Sequence, residues 1–273
     1  MSGLWPGETR CVVMLGFDVD GPSATINRNP EAERMPSTLS QGDFGPRVAV
    51  PRILDLLREH GLPATFYVPG WIAERFPGAV EQIAAAGHEL GHHGYMHEPP
   101  ASLSRDEEAA VLDRSIEILE RIGGTRPLGY RSPSWELSEH SLELLTERGF
   151  VYDSSLMGDD APYLVEDSSG HSIVEIPVHW SLDDHPYFAF NPAANRTNVM
   201  ASPAQVYDIW AAAFDELYER GRAFILTMHP WIIGRAGRLQ MLARLIEHMR
   251  QRPGVSFQRA IDVATVFDAT DAP

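Results

Sequence analysis

The chain has 273 residues, 44% hydrophobic and 22% charged, with a formal net charge of −16 when histidine is neutral. This is an ordinary globular composition with apolar material for one large core. A field of that sign repels phosphate backbones and anionic headgroups, which argues against nucleic acid and membrane surfaces as partners.

Residues 1–10 read as an N-terminal arm. It lacks the basic-then-apolar pattern of a secretory signal, and no run reaches the length of a transmembrane helix, so a cytoplasmic location is expected. Residues 11–17 are an apolar run and read as a buried strand; its Cys11 is the only cysteine and reads as a small core hydrophobe. Residues 22–47 are long, polar and rich in Pro and Gly, which predicts a long loop over or beside a site. A helix is expected at 48–58, a strand at 63–68, a helix at 72–86 and a short strand at 89–91. Residues 105–122 form a clear helix, with Leu112, Ile116 and Leu119 on one face. Strands are then expected at 128–131, 150–152 and 173–178, with a helix at 139–148 between the first two. Ser202, Pro203 and Gln205 mark a capped helix start, and that helix runs to Arg220 before Gly221. A strand at 223–228, a helix at 239–250 and a strand at 255–258 complete the pattern.

Strands alternating with helices predict a parallel α/β sheet, and seven or eight units suit a closed barrel in a single domain. In such barrels the site lies where the strands end. Almost every predicted strand delivers a titratable group there: Asp18 and Asp20, then His92, His93 and His97, Arg131, Asp153, His179 and finally His229. His93 and His97 are four apart, and on a helical turn they would share one face and one metal. Two His and one carboxylate leave coordination open for chemistry. Strict alternation would point Asp18 and Asp20 to the same side, so that one binds metal and the other acts as base; the pair could equally be turn chemistry before Gly21 and Pro22. Arg131 is suited to hold a carboxylate ionised, and His229 to protonate a leaving nitrogen. Trp135 and Trp180 are either core or a substrate platform.

Four motifs, in order, resemble the polysaccharide deacetylase family, the family 4 carbohydrate esterases. They are Asp18-Val19-Asp20-Gly21, His93-Gly94-Tyr95-Met96-His97, Arg131-Ser132-Pro133 and Leu226-Thr227-Met228-His229. The family has adjacent aspartates where Val19 intervenes here, and a hydroxyl residue where Gly94 stands. The likeness spans residues 12–267, and the strings around His93 and Arg131 are similar to an intracellular branch with allantoinase-like, cyclic-imide-hydrolase-like and peptidoglycan-deacetylase-like members. It implies a distorted (β/α) barrel and one divalent metal, zinc foremost, on Asp20, His93 and His97. It implies Asp18 as base, Arg131 as its orienter and His229 as acid, with Tyr95, Pro133, Trp135 and Trp180 as candidate substrate contacts. The implied activity is metal-dependent hydrolysis of a non-peptide carbon–nitrogen bond, namely N-deacetylation of an N-acetyl sugar. Opening of a small cyclic amide or imide is the alternative, and a catalytically inactive carbohydrate-binding protein is the reading of a different class. The partner is then a glycan or small-molecule substrate, and the branch implies a homo-oligomer.

Overall fold

A computed structural model describes residues 4–271; residues 1–3 of the expected N-terminal arm lie outside them. The described residues form nine strands: β1 (Cys11–Asp18), β2 (Thr65–Val68), β3 (Glu89–His92), β4 (Gly129–Tyr130), β5 (Tyr152–Asp153), β6 (Tyr163–Glu166), β7 (Ser172–Glu175), β8 (Ala223–Met228) and β9 (Val255–Phe257). They make one curled sheet in the order β6-β7-β5-β4-β3-β2-β1-β8, with β9 added to β1. All pairs are parallel except the β6–β7 hairpin. Strand β1 carries three partners because it is long: β9 pairs with Cys11–Val13, β2 with Gly16–Asp18, and β8 runs along the opposite edge. Beyond β8 only the single bridge Asp183↔Thr227 continues the sheet, so the barrel is a half-barrel rather than the closed ring the spacing predicts.

Side-chain alternation along β1 sets the layers. Cys11, Val13, Leu15 and Phe17 pack outward into the large core under the helices. Val12 and Met14 point inward to a smaller core with Tyr67, Tyr152 and Ile225. The helix Pro203–Arg220 shows how the outer layer is built. Ser202 Oγ accepts from Gln205 N at 3.2 Å, Gln205 Oε1 accepts from Ser202 N at 3.1 Å, and Gly221 at φ 69 ends the helix. Val206, Trp210 and Phe214 recur every four residues on its buried face, each contributing about 1.5–3 kcal/mol of apolar burial.

Three segments differ from expectation. Residues 22–47 are mostly helical: Ser23–Arg28, Pro30–Arg34, Pro36–Phe44 and the π-turn Gly45–Ala49, which leads into Val50–His60. Pro30, Pro36 and Pro46 each sit in a first turn, where a missing N–H costs nothing. With no apolar stripe the pieces leave no periodic signal, and tertiary contact holds them: a Cβ on Gly42 would lie 2.6 Å from Pro22 Cα. The helix expected at 72–86 is two, Gly70–Arg75 and Pro77–Ala85, because Phe76 before a proline leaves the helical region. Strand β6 went unread because it is short and only half-buried. No described helix is long and apolar enough to cross a membrane.

Candidate metal centre

Asp18 has the same parity as Val12 and Met14, so β1 delivers its carboxylate to the inner face at the strand's end. Val19 packs outward into the helical core, and Asp20 returns inward. The residue that separates the two aspartates therefore anchors the turn in apolar packing and leaves both carboxylates on one side. Ser23 closes this turn, its N and Oγ donating to the Asp20 carbonyl at 3.0 and 2.7 Å.

Strand β3 ends at His92, which is a packing residue: it is fully buried, and burial pushes its pKa down to about 3. The next six residues are not a helical turn. Gly94 at φ 71 and His97 at φ 61 bend the chain in two left-handed steps, and Glu98 braces the bend by accepting from Tyr95 N and Met96 N at 3.1 and 2.7 Å. The four-residue spacing thus works through a tight loop, with the His93 and His97 rings 5.1 Å apart. His93 Nδ1 donates to the Arg131 carbonyl at 2.7 Å, which fixes the ring and turns Nε2 toward the aspartates.

The ligand-type atoms converge. His93 Nε2 is 3.4 Å from Asp20 Oδ1 and His97 Nε2 is 3.5 Å from Asp20 Oδ2. One such atom from each of the three residues falls within a mutual 4.8 Å. All three residues are buried, and Asp20 Oδ1 has no hydrogen-bond partner. Burial alone would raise the Asp20 pKa, but His97, His93 and His229 outweigh it and hold the carboxyl well below its usual range. Burial lowers His97 to about 4 against the pull of Asp20, which leaves it neutral at pH 7. A charged carboxylate with an orphaned oxygen, beside a neutral imidazole and a second ring oriented by a backbone carbonyl, is a donor set that fits a divalent cation.

Two supports flank this cluster. Arg131, 1% exposed, donates to Asp18 Oδ1 at 2.8 Å and to the Ser154 carbonyl and Oγ at 3.2 and 2.9 Å. Its guanidinium lies 4.0 Å above the Tyr67 ring. Gly16 makes room for it, since a Cβ there would sit 2.9 Å from Arg131 Nη1. On the other side His229 Nδ1 donates to Asp184 Oδ1 at 2.7 Å and Asp183 Oδ1 is 3.5 Å away, while Nε2 faces Asp20 Oδ2 at 3.7 Å. Burial disfavours the imidazolium, yet Asp183, Asp184 and Asp20 raise His229 well above its ordinary value. Asp183 itself is raised by burial to about 7.

The cluster opens into a cleft lined by Asp18, Asp20, His93, His97, His229 and Trp135, among others. Trp180 stacks on Trp135 with ring centroids 4.3 Å apart. Ser134 and Trp135 both take left-handed backbone, φ 61 and 59; strain of this kind gathers at functional sites. Two expected substrate contacts are not in the cleft. Tyr95 turns outward, where its hydroxyl donates to Glu74 at 2.8 Å and its ring lies 3.6 Å under Arg114. Pro133 packs behind the His93 loop against Gly94. The reversal at Gly94 causes both placements. Asp153 and His179 do not line the cleft, whereas Asp183, His185, Arg28 and Arg196 do; these four, and Asp184 behind His229, come from segments with no strand signal. Only the run Asp183-Asp184-His185 just beyond Trp180 could have drawn attention to this part of the site.

The profile of the polysaccharide deacetylase family matches residues 37–152. The chain is 33% identical to a peptidoglycan deacetylase of Helicobacter pylori over 94% of its own length and 96% of the relative's. The chain belongs to the polysaccharide deacetylase family. Among solved structures, this polysaccharide deacetylase family member superposes with a TM-score of 0.96 on a putative polysaccharide deacetylase from Mycobacterium smegmatis, 38% identical and covering 100% and 96% of the two chains. The PuuE allantoinase follows at 0.85, with 26% identity and coverage of 98% and 93%.

Proposed function

We propose that this protein is a metal-dependent hydrolase of a non-peptide carbon–nitrogen bond, with Asp20, His93 and His97 as ligands and Asp18, Arg131 and His229 as the proton-handling machinery. The observation that carries this reading is the convergence of two imidazoles on a buried aspartate whose Oδ1 has no partner. A divalent ion such as zinc would supply polarisation of the acyl oxygen and a bound water of lowered pKa. Asp18, pinned by Arg131, is the base that takes a proton from the attacking water. His229, kept cationic and aimed by Asp184, gives a proton to the departing nitrogen. Trp135 and Trp180 wall the cleft and offer aromatic faces to a ring. The substrate class is an N-acetyl sugar, in keeping with the Helicobacter pylori relative. Opening of a small cyclic amide or imide is a second reading, favoured by the helical wall that Ala24 and Arg28 contribute to the cleft and by the likeness to an allantoinase.

The test is metal content and turnover on an N-acetylglucosamine oligomer and a cyclic imide. Asp20→Ala, His93→Ala and His97→Ala lose both bound metal and activity. His229→Ala keeps the metal and loses on the order of 10²–10⁴-fold in kcat. Full activity after chelation, or metal retained by Asp20→Ala, would overturn the assignment.

A further inference from the structure

Every one of the 22 cationic side chains in this sequence is an arginine, and most of those with resolved partners serve the surface or the core. Arg28 and Arg196 are placed differently. They come from segments 168 residues apart, 28 from the short helix Ser23–Arg28 and 196 from the turn after Pro192–Ala194. Both line the metal cleft. Both also line a narrow side recess next to it, and the two spaces share Asp20, Ala24, Arg28, His185 and Arg196. The two arginines thus stand at the junction, next to the ligand Asp20.

Neither has a carboxylate within ion-pair distance or a side-chain hydrogen bond among the described residues, in a chain with 38 acidic side chains to choose from. Burial and the charge of Arg196 lower the Arg28 pKa, against the pull of Asp20. His185 between the two spaces is held near 3 by burial and by the neighbouring cations, so it is neutral and adds hydrogen-bonding capacity without charge. Asp20 offsets part of the repulsion between the arginines without pairing with either guanidinium, and the remainder is a cost that an anion relieves. The guanidinium fork matches a carboxylate in two parallel hydrogen bonds.

We propose that Arg28 and Arg196 form the receptor for a carboxylate carried by the substrate, within a side-chain length of the scissile carbon–nitrogen bond. The enzyme then prefers an acidic N-acyl sugar or acidic amide to the neutral counterpart. This rests on the hydrolytic reading above and adds the substrate's charge to it.

The experiment uses the full chain and a matched pair of sugars, N-acetylglucosamine and its 3-O-lactyl ether, which differ by one carboxylate-bearing group. Calorimetric binding to chelator-treated protein reads the arginines without the metal; turnover by zinc-loaded protein reads selectivity. The acidic sugar binds at least tenfold more tightly. Arg28→Gln and Arg196→Gln each remove about tenfold of that preference, by loss of a charge-assisted bidentate contact. Arg222→Gln, an exposed control before β8, leaves the preference intact. Equal binding of the two sugars, or a preference that survives Arg28→Gln together with Arg196→Gln in protein of unchanged melting temperature, overturns the proposal. Free acetate binding as tightly as the acidic sugar also overturns it, since the arginines would then hold any carboxylate. Absence of turnover on either sugar strikes at the hydrolytic reading, while the calorimetric comparison still judges the arginines.

Discussion

Gly94 stands where the family carries a hydroxyl residue, and its backbone explains the substitution. At φ 71 an L-residue is strained, and a Cβ would lie 2.9 Å from Pro133 Cγ, part of a ring that cannot swing away. Restoring the hydroxyl by Gly94→Ser should therefore destabilise the protein by about 2 kcal/mol, a drop in melting temperature on the order of 5 °C for a chain of this size. A melt unchanged within a degree would mean that the loop relaxes freely. The placement of other residues at the site was legible because it depends on local spacing. The aspartates flank Val19 on a strand whose alternation can be counted, and that count places both carboxylates inward. Tyr95 was misread because the bend at Gly94 reverses the direction of its side chain, and no spacing rule encodes a positive φ.

Between β5 and β7 the fold hides a second carboxyl pair that takes no part in the cleft. Glu175 Oε1 accepts from Ser155 N and Leu156 N at 2.9 Å each, and Asp153 Oδ1 accepts from Ser155 Oγ at 2.7 Å. The remaining oxygens, Asp153 Oδ2 and Glu175 Oε2, have no hydrogen-bond partner of their own, the arrangement expected of two carboxyls that share one proton. Burial raises both pKa values, and the charge of Asp153 raises that of Glu175 further. The folded protein thus holds a proton that the unfolded chain releases in the ordinary carboxylate range. The stability from this pair is full below that range and is lost as pH rises through the folded-state value, at about 1.4 kcal/mol per pH unit. Glu175→Gln keeps the acceptor and replaces the proton by an amide N–H. It should melt higher than the parent at pH 8 and show a flatter profile between pH 5 and pH 9. A variant that melts lower than the parent across that whole range would refute the shared proton. Helices with a clear apolar stripe, such as Pro203–Arg220, were readable from period and caps. The pieces between residues 23 and 49 were not, because prolines start them and contacts such as that of Gly42 with Pro22, rather than an amphipathic face, hold them.

For the molecule as a whole, a buried cluster of ligand-type atoms in a chain of net charge −16 favours binding of a cation to the folded state alone. Zinc at a hundredfold excess over its Kd should then add about 2.7 kcal/mol to stability. Calorimetric scans of chelated and zinc-loaded protein should differ by several degrees, and Asp20→Ala should abolish the difference. Equal melting of both forms of the parent would indicate that the ion does not bind the native cluster. By itself the sequence determined the alternation of strands and helices, the capped ends of the long helices and the order of the Asp and His motifs, because each is written in spacings of a few residues. The tertiary structure alone decided that the sheet stops at a half-barrel, that Asp183 and Asp184 reach His229, and that Arg28 and Arg196 line one cleft with Asp20. Those pairings join segments tens to hundreds of residues apart, and only the curl of the sheet brings them within reach of one another.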